Sequence, residues 1–224
     1  MKLNRSLTTL TAVAALMCLM ALPISAQELK HGYQNYEVTI TNLTGGQIMS
    51  PPIVYSHRSR FQLFTPGEAA IPELASVAED ADSADLLALL DAEPLVADVA
   101  IGGDVVMPGQ SMTLQLQVPW GYRTVSTLGM LVTTNDAFFA ASAWVPLSGT
   151  SKYALAWDAG SEANTQDCDH IPGPPCENPG MRVEDGAEGF IYIHTGIQAR
   201  GSLDPAMHDW RNPVARVQIK RALN

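Results

Sequence analysis

Basic residues are scarce in this sequence. Only 13 Lys and Arg residues stand against 23 Asp and Glu residues, so the formal net charge is −10 and the pI is near 4.8. Binding to nucleic acid or to anionic lipid depends largely on Lys and Arg contacts with phosphates, so both partners are disfavoured unless cations intervene. An acidic chain is better suited to holding divalent metal ions.

Recognisable catalytic motifs are also missing from the sequence. The histidines are scattered, G-x-S-x-G does not occur, and no serine or cysteine lies in a recognisable nucleophile context. His194, at the end of a predicted strand, is the most attractive single acid or base. A lone histidine in such a place is more often a hydrogen-bonded structural group. The sequence therefore predicts that the chain is not an enzyme.

A long apolar run occurs only near the N-terminus. Residues 1–26 combine Lys2 and Arg5, an apolar stretch and then Pro-Ile-Ser-Ala before Gln27, which is typical of a secretory signal peptide. The apolar stretch is shorter than the roughly 20 residues that span a bilayer, so we expect no stable membrane insertion. We expect a secreted or periplasmic protein whose mature chain begins at Gln27.

Cysteine is rare as well. Cys18 lies within the predicted signal peptide, which leaves Cys168 and Cys176 on either side of a segment too rich in Pro and Gly to form a helix. In an exported protein these two cysteines are expected to form a disulfide. The alternative is a zinc site with His170 as a third ligand, although no second Cys or His pair lies nearby at metal-binding spacing.

Short strand patterns fill most of the remaining sequence. Residues 111–118 alternate apolar and polar side chains over their whole length, which indicates a half-buried strand. Similar segments with turn residues between them predict an all-β protein, an antiparallel β-sandwich of about seven or eight strands. Apart from the two apolar runs of the stretch 131–162, these segments are 36–43, 51–57, 96–101, 111–118, 130–132, 189–194 and 214–221.

One region has a helical composition instead. Between residues 66 and 91, Ala, Leu and Glu replace β-branched residues, and apolar side chains around Val77 recur at helical spacing. A second short helix is predicted at 84–91, with Ser83 or Asp82 as its cap. The segment that contains Asp80, Asp82 and Asp85 lacks the glycine and closing glutamate of an EF-hand loop, so caps and a solvated turn are favoured over a calcium loop.

The stretch 131–162 is the centre of the functional prediction. It contains two apolar, aromatic-rich runs that each end near carboxylates, with a Ser/Gly/Thr connector at 148–151 between them. This arrangement predicts paired strands with acidic loops at one end. At least two aromatic side chains of the stretch are expected in the core, whereas Trp120, in a predicted turn, is the better candidate for an exposed aromatic contact.

Three segments of the chain resemble successive signatures of the spondin N-terminal domain family. They are T-N-D-A-F-F at 134–139, Y-A-L-A-W-D-A-G-S-E at 153–162 and N-P-V-A-R-V at 212–217. The W-D-A-G-x-[DE] element is the most specific of them. The resemblance implies a secreted, single-domain member of bacterial type, with a lead-in at 27–35 and the spondin-like domain at 36–224.

The resemblance also implies a fold and a metal site. The fold is an antiparallel β-sandwich similar to C2 domains, with Ca²⁺ held by acidic loops at one end. Carried over by motif, the ligands are Asp136, Asp158 and Glu162, and Glu162 departs from the Asp that is common in animal members. From the residues alone, the alternative is that Asp136 caps a turn, Asp158 forms an Asx turn and Glu162 is solvated.

These observations lead to one functional expectation and two alternatives. We expect a secreted calcium-binding β-sandwich that acts as a binding or adhesion module towards an extracellular protein or glycan. In the first alternative the ion is purely structural. In the second, less favoured, the protein is a metal-dependent hydrolase, which would need an open coordination position and an exposed histidine beside Asp136 and Asp158.

Overall fold

The computed structural model describes residues 32–176 and 181–222. The predicted signal peptide, residues 1–26, lies outside the described residues, as does most of the predicted lead-in. The first strand begins at Tyr33 rather than at residue 36. Within the described residues, no helix is long and apolar enough to cross a membrane.

The described part of the chain contains nine strands and three short helices. In chain order they are β1 (Tyr33–Asn42), β2 (Ile53–His57), α1 (Pro72–Asp80), α2 (Ala84–Ala92), β3 (Val96–Ile101), β4 (Ser111–Pro119), β5 (Thr124–Met130), β6 (Ala137–Trp144), β7 (Thr150–Asp158), β8 (Tyr192–Ile193), α3 (Pro205–His208) and β9 (Ala215–Arg221). A turn of 3-10 helix, Cys168–His170, precedes β8.

All the strand pairs are antiparallel, and the strands follow one path in the order β3-β2-β5-β6-β7-β9-β1-β4, with β8 beside β7. The two ends of this path approach each other, because the backbone N–H of Gln117 on β4 donates to the Asp98 carboxylate on β3 at 2.6 Å. The sheet is therefore nearly closed. The predicted all-β class is confirmed, with α1 and α2 as the short helices inserted between strands.

Two apolar cores lie on opposite faces of the strands. Phe138 and Phe139 are neighbours in β6, and because side chains alternate along a strand, they enter different cores. Phe139 packs with Val38 in the core enclosed by the sheet. Phe138 packs with Leu74 and Leu90, so the second core lies between the sheet and helices α1 and α2. Both rings are buried, as predicted.

The helices begin and end where local hydrogen bonding favours it. Helix α1 has Pro72 in its first turn, where a missing N–H is least costly, and ends at Ala81 in a left-handed conformation. The Asp82 carboxylate accepts from the backbone N–H of Ala84 at 3.1 Å, so Asp82 rather than Ser83 provides the side-chain cap of α2. These contacts agree with the capped turn predicted between the helices.

Strand β5 is the main element that the sequence pattern underestimated. We predicted only a short segment at 130–132, but the strand is Thr124–Met130 and every residue in it is buried. A strand buried on both faces does not alternate between apolar and polar residues. Its Thr, Ser and Gly residues also gave it little resemblance to an apolar run. The opposite difference occurs at 189–194, where the predicted strand is longer than the observed one, Tyr192–Ile193.

The predicted disulfide between Cys168 and Cys176 is confirmed, with the two Cα atoms 4.8 Å apart. Because both sulfur atoms are consumed in this bond, neither is a thiolate ligand for zinc. His170, the third ligand of the zinc alternative, instead places its Nδ1 atom 3.1 Å from the Thr165 hydroxyl. The disulfide closes a loop in the long connection between β7 and β8.

Candidate functional site

The pairing of β6 with β7 places the predicted acidic loops at one edge of the sheet. Ala137, the first residue of β6, is opposite Asp158, the last residue of β7. The backbone carbonyl of Asp136 accepts from the N–H of Ala159 at 3.1 Å. Asp136 and Asp158 are therefore close in space, and their carboxyl groups interact electrostatically.

Asp136 is fully buried and only half satisfied. Its Oδ2 atom accepts from the backbone N–H groups of Ser161 and Glu162 at 2.8 and 3.0 Å. Its Oδ1 atom is buried and has no hydrogen-bond partner. Burial, followed by the nearby charge of Asp158, raises the pKa of Asp136 to about 7. One of the two carboxylate oxygens of Asp136, Oδ1, is therefore buried without a hydrogen-bond donor.

Asp158 lies beside it and is also buried. Its Oδ1 atom accepts from the backbone N–H of Gly160 at 2.8 Å, which is the Asx turn that we considered as an alternative. Its Oδ2 atom accepts from the side-chain amide of Asn164 at 2.5 Å. Burial raises the pKa of Asp158 to about 6. The turn does not compete with ion binding, because only one lone pair of one oxygen is used by it.

Glu162 has a different environment. Its Oε1 atom is 4.0 Å from the Nε atom of Arg182, which also forms ion pairs with Glu79 at 2.7 Å and with Asp80. Burial, then the charges of Glu79 and Asp136, raises the pKa of Glu162 to about 8. The side chain thus belongs to an acidic group around Arg182, and its role as a metal ligand stays a prediction.

Glu188 lies near Asp136 and Asp158, and the three side chains form a buried carboxylate cluster. The sequence did not predict Glu188 as a member of it. Its Oε1 atom accepts from the Tyr192 hydroxyl at 3.0 Å and from Asn164 at 3.3 Å. Its Oε2 atom is buried and has no partner. The charge of Glu188 contributes to raising the pKa of both Asp136 and Asp158. No sequence signal marked it, because it lies in the irregular connection before β8.

His194 is a structural neighbour of this cluster. Its Nε2 atom is 2.9 Å from Oδ1 of Asn164, and its Nδ1 atom accepts from the backbone N–H of Gly196 at 2.9 Å. This pattern requires a proton on Nε2 and none on Nδ1. Burial lowers the pKa of His194 to about 4, so the ring is neutral at pH 7. The His194 ring therefore donates to Asn164, whose side-chain amide in turn donates to Asp158.

The chemistry of the donors fits a hard cation such as Ca²⁺, although the side chains are not arranged around one. Within residues 32–176 and 181–222, no three His, Cys, Asp or Glu side chains form a group that could hold a metal ion as they stand. Two buried carboxylate oxygens nevertheless lack partners, Oδ1 of Asp136 and Oε2 of Glu188. Carboxylate oxygens are the preferred ligands of Ca²⁺, which tolerates flexible coordination geometry.

Comparison of the sequence with models of protein families finds no match, and comparison with curated proteins finds none either. The resemblance to the spondin N-terminal domain family therefore stays a prediction carried by its three motifs. The structure adds that two of the three predicted ligands lie at the same edge of two paired strands, Asp136 just before β6 and Asp158 at the end of β7.

A group of exposed aromatic side chains lies elsewhere on the surface. Trp120 is 72% exposed, as predicted for its turn, and Trp144 is 63% exposed although we considered it for the core. The Arg123 guanidinium lies 5.3 and 5.2 Å from the ring centroids of Trp120 and Trp144. A cation between two indole rings is a favourable arrangement.

Proposed function

We propose that this protein is an exported, calcium-stabilised β-domain of spondin type, in which the ion fixes the loops at one edge of the sheet. We further propose that the nearly closed sheet is the C2-like sandwich that the resemblance implies. The ligands that we propose are Asp136, Asp158 and Glu188, with Glu162 kept as the further ligand that the resemblance implies. The observation that carries the proposal is the buried, unpartnered Oδ1 atom of Asp136.

Burying a carboxylate oxygen without a donor is costly, and native structures rarely contain such a group without a reason. Two unpartnered oxygens in one buried cluster are harder to explain as chance. A cation between them would give both oxygens a partner at once. The same ion would need further oxygens from backbone carbonyls and water, because Ca²⁺ takes about six to eight ligands.

The charges of the cluster support the same proposal. Without a cation, Asp136, Asp158 and Glu188 repel one another, and their repulsion adds to the burial that raises the pKa of the two aspartates. A divalent cation would remove this repulsion and hold the carboxylates ionised at pH 7. Asn164 and His194 would then act as positioning residues, since they orient Asp158.

A role as an adhesion or binding module towards an extracellular protein or glycan is the function we propose for the domain. The exposed Trp120, Arg123 and Trp144 group supports it, because indole and guanidinium groups are frequent at binding surfaces. A metal-dependent hydrolase has less support, since the histidine beside Asp158 is buried and neutral.

Thermal unfolding of the mature chain, measured with saturating Ca²⁺ and again with a chelator, tests the proposal. Because a ligand that binds only the folded state stabilises it by mass action, Ca²⁺ at about 1,000 times its Kd should add about 4 kcal/mol to the free energy of unfolding. For a chain of this size this corresponds to a rise in Tm of roughly 10 °C. Identical melting curves in calcium and in chelator would contradict the proposal.

A further inference from the structure

A cavity of about 320 Å³ lies on the side of the sheet that faces helices α1 and α2. Strands β2, β5 and β6 form its floor, and the segment 59–66, which follows β2, forms its cover. Parts of this cover, including Ser59 and Gln62, are exposed, so the cavity lies close to the surface. The volume is at the lower end of the range for small-molecule sites, about 300–1,000 Å³.

The lining of the cavity carries no formal charge. No Asp, Glu, Lys or Arg is among the described residues that line it, although the chain contains 23 acidic and 13 basic residues. The two ionisable rings that line it are both kept neutral at pH 7, because burial lowers the pKa of His57 and raises the pKa of Tyr55 to about 12. An ionised ligand would lose its hydration here without gaining a counter-charge, which is unfavourable. The cavity therefore selects neutral molecules.

Aromatic rings form much of the wall. Phe64 packs edge-on against Trp157 at 5.3 Å between ring centroids, and Phe61 packs in the same way against His57 at 5.4 Å. Both phenylalanines come from the cover, and their partners come from the strands. Rings in edge-to-face contact leave flat faces and edges for a further ring to pack against. The wall is therefore suited to a planar, apolar ligand.

One end of the cavity is polar and has a defined direction. The Nδ1 atom of His57 lies 2.9 Å from the backbone carbonyl of Arg58, so Nδ1 carries the proton and Nε2 is the acceptor. Ser126 then donates its hydroxyl proton to Nε2 at 2.7 Å. The oxygen of the buried Ser126 hydroxyl then has two lone pairs that can accept hydrogen bonds. The neighbouring Tyr55 hydroxyl can donate to one of them, which leaves the other open. A ligand hydroxyl donating to that oxygen would complete the set.

We propose that this cavity binds a small, neutral aromatic compound that carries a hydroxyl group, with the ring between Phe61, Phe64 and Trp157 and the hydroxyl directed at Ser126. The site is separate from the carboxylate cluster, although Trp157 is adjacent to Asp158 in β7. The proposal therefore goes beyond calcium binding and does not depend on it.

Isothermal titration calorimetry of the mature chain at pH 7 with 2-naphthol and with 2-naphthoate tests the proposal. The two probes are close in size and shape, but only 2-naphthoate is charged at this pH. We expect 2-naphthol to bind at one molecule per chain with a Kd of about 0.1 mM, which is ordinary for a ligand of this size. We expect 2-naphthoate to bind at least tenfold more weakly.

Two matched variants locate the binding. Ser142, on β6, is exposed and lines the cavity, whereas Ser151, on β7, is exposed and does not line it. Ser142→Trp should block the cavity and abolish 2-naphthol binding, while Ser151→Trp should leave it unchanged. The proposal is wrong if 2-naphthol does not bind the unmodified chain at 1 mM, if 2-naphthoate binds equally well, or if both variants bind like the parent. The comparison of probes needs no variant, so it remains decisive if Ser142→Trp does not fold.

Discussion

Replacing Asp136 with Asn is expected to abolish the stabilisation of the protein by calcium. The amide oxygen of Asn can still accept from the backbone N–H groups of Ser161 and Glu162, which now bind Oδ2 of Asp136. The amide nitrogen replaces the unpartnered Oδ1 atom, so the substitution removes the proposed ligand and its charge with little change in shape. We expect the gain of about 4 kcal/mol in saturating calcium to fall to nearly zero.

The metal-free protein should respond in the opposite direction. Asp136→Asn removes one charge from a buried group of like charges, so without calcium the variant should be at least as stable at pH 8 as the parent. Asp185→Asn is the matched control, because Asp185 is exposed and lies in the same connection as Glu188. Chemical denaturation with and without calcium measures both effects. A variant that keeps the full calcium response would show that Asp136 is not a ligand.

Replacing Gly160 with Ala should cause the largest loss of stability among substitutions at the site. Gly160 has a φ of +67°, and an added Cβ atom would lie 2.7 Å from the backbone nitrogen of Phe190 and closer still to its carbonyl oxygen. Both neighbours are backbone atoms, so no flexible side chain can move away. We expect the free energy of unfolding to fall by roughly 3 kcal/mol or more.

Gly109 provides the control for this substitution. Its φ is +76°, but a Cβ atom there would have no neighbour within 4 Å. Gly109→Ala therefore tests the left-handed backbone conformation alone, which should cost about 1–2 kcal/mol. Equal losses in the two variants would mean that the contact between Gly160 and Phe190 is not tight. Because Gly160 separates Asp158 from the residues that bind Asp136, its variant should also weaken calcium binding.

The strands, and the two aspartates at the edge formed by β6 and β7, could be predicted from sequence because the patterns that mark them involve residues close together in the chain. Alternation in β4, the aromatic runs of β6 and β7, and the capped turn before α2 each depend on neighbouring residues. Asp136 and Asp158 converge because Asp136 immediately precedes β6 and Asp158 ends β7, the antiparallel strand that a short connector joins to it. The prediction of the disulfide rested on a similarly short separation, together with an exported location.

The rest of the site depends on contacts that have no local signature. Glu188 approaches Asp136 and Asp158 only because the connection after β7 returns to the same edge, which no periodicity announces. Glu162 stays a predicted ligand, and its 4.0 Å approach to Arg182, which lies in the same returning connection, is a contact that no local pattern announces. The uncharged cavity was missed for the same reason, since its walls come from β2, β5, β6 and the segment 59–66.

Calorimetric titration of the metal-free protein with Ca²⁺ at pH 7, in two buffers with different heats of ionisation, measures whether the buried carboxylates hold a calcium ion. We expect one Ca²⁺ per chain and the release of up to about one proton, because calcium displaces the protons held by Asp136, whose pKa is raised to about 7, and Asp158. Affinity should therefore increase from pH 6 to pH 8. Absence of binding heat in both buffers, or binding of equal strength at pH 6 and pH 8, would mean that these carboxylates do not form a calcium site.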